Sequence, residues 1–252
     1  MKLLDHFERA GNAFFRLRSY LPLLLLPPFL LAVRAGAATG DPWRPLCEWG
    51  GFLVSLAGFG VRVFTIGSAP PGTSGRGTRD PYAAVLNTTG AYSVVRHPLY
   101  LGNTLVALGL GIFTTTWFMP LVIVLASLLY HERICVREEV FLESQFGDSF
   151  RAWARKVPAL VPAFGRYRPP EGRFRWKKVL SREFHALLVI GAGFLFLDVL
   201  RHVFRSGDLG ASPLWMAVCA GTALVFVVLA ILKKWTSVLS VQETTGPSPT
   251  GA

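Results

Sequence analysis

The chain has 252 residues, 52% of them hydrophobic and only 16% charged, with a mean hydropathy of +0.43 and a net charge of +11. That composition excludes an ordinary soluble domain, in which about a quarter of the residues are charged, and the length is too great for a single membrane anchor. The cysteines, Cys47, Cys135 and Cys219, lie far apart, which excludes a disulfide framework and a paired-cysteine zinc site.

Several segments approach the roughly 20 apolar residues that cross a bilayer core. In chain order, residues 20–33, 49–66, 100–118, 120–130, 185–204 and 213–232 are read as spans. The first holds Pro22, Pro27 and Pro28 and is expected to kink. It is read as a span rather than a cleaved signal peptide, because no small-residue cleavage site closely follows a compact apolar core. The third and fourth are separated only by the corner Trp117-Phe118-Met119-Pro120. The predicted architecture is all-α: one polytopic helical membrane domain of about six transmembrane helices around a helix hairpin.

Charge orients it. Lys2, Arg9, Arg16 and Arg18 precede the first span, Lys233 and Lys234 follow the last, and residues 133–182 carry about a dozen Lys and Arg. The opposite loops hold Arg34, Arg44, Arg201 and Arg205. The positive-inside rule places both termini and the large basic segment in the cytoplasm. The excess charge then faces anionic lipid headgroups, and with no soluble domain to carry it, nucleic acid is not expected as a partner.

Between the second and third spans, SAPPGTSGRGTRDPYAAVLNTTG (residues 68–90) is too rich in Gly and Pro for a long regular element. Its length points to a functional reason or to a flexible connector. Asn87-Thr88-Thr89 matches a glycosylation sequon but falls on the cytoplasmic side. The loop leads into GAYSVVRHPLYLGN, residues 90–103. Pro98 disfavours a helical conformation at His97 and fits the first turn of the next helix, where unpaired N–H groups attract anions. Arg96 adds a charge that can grip a carboxylate or phosphate with two prongs. His97 can donate or accept, and Gly102 permits close approach to the helix backbone. Interfacial anchoring by Arg and Tyr is the alternative use of these residues.

Past the hairpin, YHERICVREEVFLESQFGDSFRAWARKVPALVP (residues 130–162) carries the fourth span out of the membrane. Glu132, Glu139 and Glu143 share about one helix face, with Glu138 alongside. Pairing with Arg133 and Arg137 would make this a solvated face, whereas acidic residues this close to the membrane point to a cationic partner. Gly147 is expected to end or bend the helix, Phe150 and Trp153 to form an apolar stripe, and Val157-Pro158 to end the next turn.

The ordered set Thr88 or Thr89, Gly90, Tyr92, Arg96-His97-Pro98, Tyr100, Gly102, then Glu138-Glu139, Phe146-Gly147 and Val157-Pro158 covers about residues 86–162. Across a tight helix hairpin, it resembles the isoprenylcysteine carboxyl methyltransferase and phospholipid methyltransferase superfamily. The resemblance implies an integral membrane enzyme that uses S-adenosyl-L-methionine without a Rossmann glycine fingerprint, and none is visible. It implies cofactor binding by Gly90, Tyr92, Arg96, His97, Pro98, Tyr100, Gly102, Glu138, Glu139, Val157 and Pro158, with Arg96, His97 and Glu139 as candidate catalytic residues and no metal. By this analogy Arg96, His97, Tyr100 and the Gly102 backbone cradle the cofactor. Glu138 and Glu139 lie near its cationic or ribose end, and Val157-Pro158 closes over the adenine.

The sulfonium is already an activated methyl donor, so the protein has mainly to align the reacting atoms and exclude water. A carboxylate or phosphate oxygen needs no base, whereas an ammonium must first lose a proton. His97 is a conceivable base, with cofactor contact the preferred role. The implied acceptor is a membrane lipid or lipidated substrate: a prenylcysteine carboxylate, an aminophospholipid or a lipid phosphate. A small hydrophobic thiol acceptor, an NADPH-dependent reductase of related architecture and a non-catalytic scaffold are the rivals.

The chain departs from the family pattern at Phe150 and Trp153, where Tyr is frequent, and in its two further spans, which are expected to frame a substrate cleft or an oligomer interface. Gly102, Gly109 and Gly111 are candidates for admitting a lipid tail to the third span, with helix packing as the alternative. The expected organisation is two N-terminal spans (1–66), a methyltransferase core (67–165), a basic interfacial linker (166–184), two C-terminal spans (185–235) and a disordered tail (236–252).

Overall fold

Proline and glycine set where the helices begin and how closely they approach. The computed structural model describes residues 21–70, 83–236 and 239. The N-terminal basic residues, the middle of the 68–90 loop and nearly all of the expected tail lie outside the described residues. A 3-10 helix, Leu21–Leu25, enters α1 (Leu26–Ala38), followed by α2 (Arg44–Ser68), α3 (Pro98–Phe113), α4 (Phe118–Ala154), α5 (Trp176–Ser206) and α6 (Pro213–Trp235). Proline stands in the first turn of α1, α2, α3 and α6, where a backbone N–H would have no intrahelical partner.

Helices α2, α4, α5 and α6 are long and apolar enough to cross a membrane, and α1 and α3 are shorter apolar helices. The 16 residues of α3 reach about 24 Å at the helical rise, short of a hydrocarbon core of about 30 Å. The 37 residues of α4 exceed that thickness and carry the chain out of the apolar layer. The protein is a polytopic helical membrane protein.

The predicted spans map onto these six helices with two shifts. The hairpin corner comes earlier than expected, at residues 114–117, because α3 stops at Phe113. Threonine hydroxyls stop it: Thr114 Oγ1 donates to Gly111 O at 2.7 Å and Thr115 Oγ1 to Thr114 O at 2.7 Å. These bonds satisfy carbonyls that a helix end leaves open, and Thr115 adopts a left-handed φ of 60°. The second shift is in the basic linker. Residues 176–184 are the first turns of α5, with Lys178, Ser181, Glu183 and Phe184 buried. Arg201, expected as a loop charge, also lies inside α5, 2% exposed and paired with Glu48 of α2.

Small residues bring α2 and α3 together. A Cβ built at Gly109 would clash with Gly51 O and Ser55, and one at Gly102 with Arg62 and the Gly58 carbonyl. Ser55 Oγ donates to Val106 O at 2.9 Å in the same seam. Gly111 is covered by Ile123 of α4. Protein therefore fills the space along these three glycines that was expected to admit a lipid tail, and the packing alternative is the one observed.

The larger core joins α1, α3, α5 and α6 through Val33, Phe113, Ile190, Phe194, Leu197 and Trp215. Phe194 and Trp215 stack at 5.1 Å, and Phe113 meets both edge-on. An ion pair ties α5 to the α2–α3 seam: Arg62 donates from Nε and Nη2 to the two oxygens of Glu183 at 2.7 and 2.8 Å, and from Nη1 to Asn103. Charge among apolar helices is tolerated when it is paired in this way.

Candidate active site

The segment before α3 is shaped by Gly90, whose φ of 60° and ψ of −132° belong to glycine. It feeds a single 3-10 turn, Ala91–Ser93, and Ser93 Oγ donates back to Gly90 O at 2.7 Å. After α4 the chain returns over this segment as a strap, residues 155–175. Arg96 N donates to Pro158 O at 2.9 Å, Ala163 N to Val94 O at 3.0 Å and Gly90 N to Arg168 O at 2.9 Å. Arg168 N donates to Ser93 Oγ at 2.9 Å. The strap then docks on the end of α2, where the Phe174 ring covers Gly67 and Arg175 N donates to Gly67 O at 2.8 Å.

Gly147 bends α4 with a φ of 52°. The bend turns Phe150, Trp153 and Val157 into a small core with Tyr92 and Phe146, and Trp153 Nε1 donates to Tyr92 O at 3.1 Å. Burial, and then the Glu138 charge, pushes the Tyr92 hydroxyl well above its ordinary pKa, so it stays neutral. The two halves of the motif, 90–98 and 138–158, are thus held face to face.

Between them lies a charged centre. Arg96 Nη1 is 2.5 Å from Glu139 Oε2, and His97 Nε2 is 2.9 Å from Glu139 Oε1. His97 Nδ1 is 3.3 Å from Glu138 Oε2, and the Tyr100 hydroxyl donates to Glu138 Oε1. Carboxylate oxygens only accept, so the Nε2–Glu139 hydrogen bond and the Glu138 carboxylate beside Nδ1 both favour the imidazolium form of His97. Burial opposes that charge, but hydrogen bonding with Cys135, Glu138 and Glu139 outweighs it and holds the His97 pKa well above 6.5. This raised pKa favours the charged ring over the neutral base that the sequence left conceivable. The Arg96 Nε is buried without a hydrogen-bond partner among the described residues, which leaves the guanidinium a donor for an anion.

The polar face continues inward. The Tyr100 ring lies between those of His97 and His131, at 5.7 and 4.8 Å and nearly parallel to both. His131 Nδ1 is 3.3 Å from Thr104 Oγ1.

Of the residues singled out in the sequence, Gly90, Tyr92, Arg96, His97, Tyr100, Glu138, Glu139, Val157 and Pro158 converge here. Pro98 occupies the first turn of α3 and shapes its start. Gly102 stands apart, since it is two residues round the helix from Tyr100 and so on another face, where it packs on Gly58 and Arg62. Glu143 pairs with Arg151 at 2.9 Å on an exposed surface, as a solvated face would.

Residues 76–149 match the family model for phospholipid methyltransferases. The protein-S-isoprenylcysteine O-methyltransferase of Schizosaccharomyces pombe is 40% identical over 82 residues, 31% of this chain and 33% of that protein. The chain belongs to the isoprenylcysteine carboxyl methyltransferase and phospholipid methyltransferase superfamily. Two further relatives are the cobalt-zinc-cadmium resistance protein CzcN of Cupriavidus metallidurans and the nickel-cobalt-cadmium resistance protein NccN of Alcaligenes xylosoxydans xylosoxydans. The first is 33% identical over 60% of this chain and 67% of its own length, the second 31% identical over 46% and 53%. No solved structure matches the chain.

The superfamily match spans Gly90 to Gly147 and stops short of Val157-Pro158, which join the site through the Arg96–Pro158 hydrogen bond. Sequence reading missed His131 and the Arg62–Glu183 pair. His131 had a signal: residues 131, 135 and 138 recur at helical spacing on one face. Arg62 and Glu183 are 121 residues apart and had none.

Proposed function

We propose that this superfamily member is an S-adenosylmethionine-dependent methyltransferase that works within the membrane on a lipid or lipidated acceptor. The observation that carries this reading is the paired set Arg96, His97, Glu138 and Glu139, closed by the Pro158 strap at one end of the α3–α4 hairpin. The donor set fits the cofactor. The uncommitted Nε of Arg96 suits a carboxylate. Each glutamate keeps lone pairs for an ammonium or ribose hydroxyls, and the buried Phe150–Trp153–Val157 core beside Tyr92 anchors the Val157-Pro158 segment over them. When bound, the cofactor supplies a methyl group already activated on a sulfonium.

The chain's own residues then orient and dry the site. Arg96 and the imidazolium of His97 hold the two carboxylates, and the tripled strap contacts at Val94, Arg96 and Gly90 keep the lid segment over them, which favours alignment and excludes water. The Lys and Arg of the strap, with Lys233 and Lys234 at the end of α6, support a cytoplasmic location for this end by the positive-inside rule. The acceptor then comes from the bilayer side. The S. pombe relative is a protein-S-isoprenylcysteine O-methyltransferase, which supports an acceptor with an apolar tail.

Titrating purified protein with S-adenosylhomocysteine and with NADPH tests the class. Saturable binding of the first alone is expected. Binding of NADPH alone would make the chain a reductase, and binding of neither would leave a scaffold.

A further inference from the structure

At the charged centre His97 and both glutamates are engaged with one another, and the same polar face holds another histidine that carries no charge partner of this kind among the described residues. His131 of α4 is 5% exposed. It lies eight residues before Glu139, about 12 Å along the helix at 1.5 Å per residue and deeper in the apolar part of the chain. Its Nδ1 is 3.3 Å from Thr104 Oγ1, and that hydroxyl donates its own proton to Tyr100 O at 3.0 Å. A hydroxyl has a single proton, so Thr104 accepts from Nδ1–H, and the lone pair of His131 lies on Nε2. The ionisable groups facing the ring are Tyr100 of α3, His97 before α3, and Tyr130 and Glu138 of α4. A buried ionisable side chain where α4 leaves its apolar stretch is a candidate functional position.

We propose that His131 is the general base of this site, and that the acceptor is a tailed molecule whose nucleophile carries a proton, an amine or a thiol. The proposal rests on the methyltransferase reading above. The acceptor N–H or S–H bond breaks and its proton goes to His131 Nε2. The electron pair left on nitrogen or sulfur forms the new bond to the methyl carbon, and the old carbon–sulfur pair stays on the donor sulfur. A lipid ammonium drawn among apolar helices gives up its proton more readily than in water, because burial disfavours its charged form.

The test uses full-length protein in detergent micelles with dodecylamine, dodecanethiol and farnesylthioacetic acid, whose carboxylate needs no base. His131→Asn keeps an amide to donate to Thr104 and removes Nε2. Wild type is expected to methylate the amine or the thiol. His131→Asn should lose at least about 100-fold on that acceptor, the range of general-base contributions, with unchanged affinity for S-adenosylhomocysteine. Nitrogen NMR of isotope-labelled histidine gives a readout without turnover: in the S-adenosylhomocysteine complex the resonance lost in His131→Asn should report a lone pair on Nε2 that becomes N–H when the accepted probe is added. Full turnover by His131→Asn, methylation of the carboxylate probe alone or of none, loss of cofactor affinity in His131→Asn, or an Nε2 protonated throughout would each overturn the proposal. Failure of wild type to bind S-adenosylhomocysteine would instead overturn the methyltransferase reading.

Discussion

Glu183→Gln isolates the tie between the C-terminal helices and the rest of the fold. Glu183 takes two guanidinium bonds from Arg62, and the two side chains are 2% and 18% exposed. Breaking a buried pair by removing one charge leaves the other uncompensated and costs about 3–5 kcal/mol. Glutamine keeps one acceptor and Asn103 still meets Arg62, so the lower end, about 3 kcal/mol, is expected. Replacing both, as Arg62→Met with Glu183→Leu, removes the uncompensated charge and should recover most of that loss. Reversible unfolding in mixed micelles measures all three proteins. Because Arg62 packs at Gly102, away from the charged centre, affinity for S-adenosylhomocysteine should hold in Glu183→Gln wherever it stays folded. A loss below about 1 kcal/mol in the single variant, or a double variant as unstable as the single one, would refute the reasoning.

Arg96→Ala should weaken S-adenosylhomocysteine binding more than tenfold by calorimetry, since truncating a buried charged contact costs about 2–5 kcal/mol; wild-type affinity would reduce Arg96 to an interfacial anchor. Gly109→Leu should destabilise the α2–α3 seam, because Gly51 and Ser55 occupy the space; a fully stable variant with altered tail preference would reinstate a tail slot there. Neutralising Arg173, Arg175 and Lys177 should lower activity in anionic vesicles but not in neutral detergent, each basic residue near the headgroups contributing about 1 kcal/mol. Lys178 is left out of that set because it is buried against the Ala69 and Pro70 carbonyls, 3.4 Å from each, and equal losses in both media would exclude lipid attraction. The folded pKa of His97 is raised above 6.5, so its contribution to stability is fully present below that value and is lost as pH rises through the folded pKa. Stability followed against pH in wild type and His97→Gln should therefore differ by a constant amount from about pH 5.5 to 6.5, above the ordinary carboxylate range, and converge as pH rises further, and convergence as pH falls from 6.5 to about 5.5 would contradict the double pairing.

The six apolar helices and the site segments were legible because each has a local signature: apolar runs, prolines at helix starts, and an ordered motif around the hairpin. The corner was misplaced because apolar Trp117 and Phe118 extend the hydrophobic run, whereas the helix end is set by Thr114–Thr116 hydroxyls that no hydropathy pattern registers. Residues 176–184 read as an interfacial linker by charge, yet Glu183 meets Arg62 and Lys178 meets carbonyls, partners supplied only by the tertiary fold. Gly102 shows the same limit. A glycine beside a ligand-type motif signals close approach without saying to what, and the approaching chain is α2.

Methyl transfer into lipid tests the central reading most directly. Purified protein in vesicles of host lipid extract would be given S-adenosylmethionine with a deuterated methyl group, and the extracted lipids analysed by mass spectrometry. A lipid or lipidated product carrying the labelled methyl, formed by wild type and strongly reduced in Arg96→Ala, is the predicted result. Label that never enters the lipid fraction in a protein that binds S-adenosylhomocysteine would contradict it.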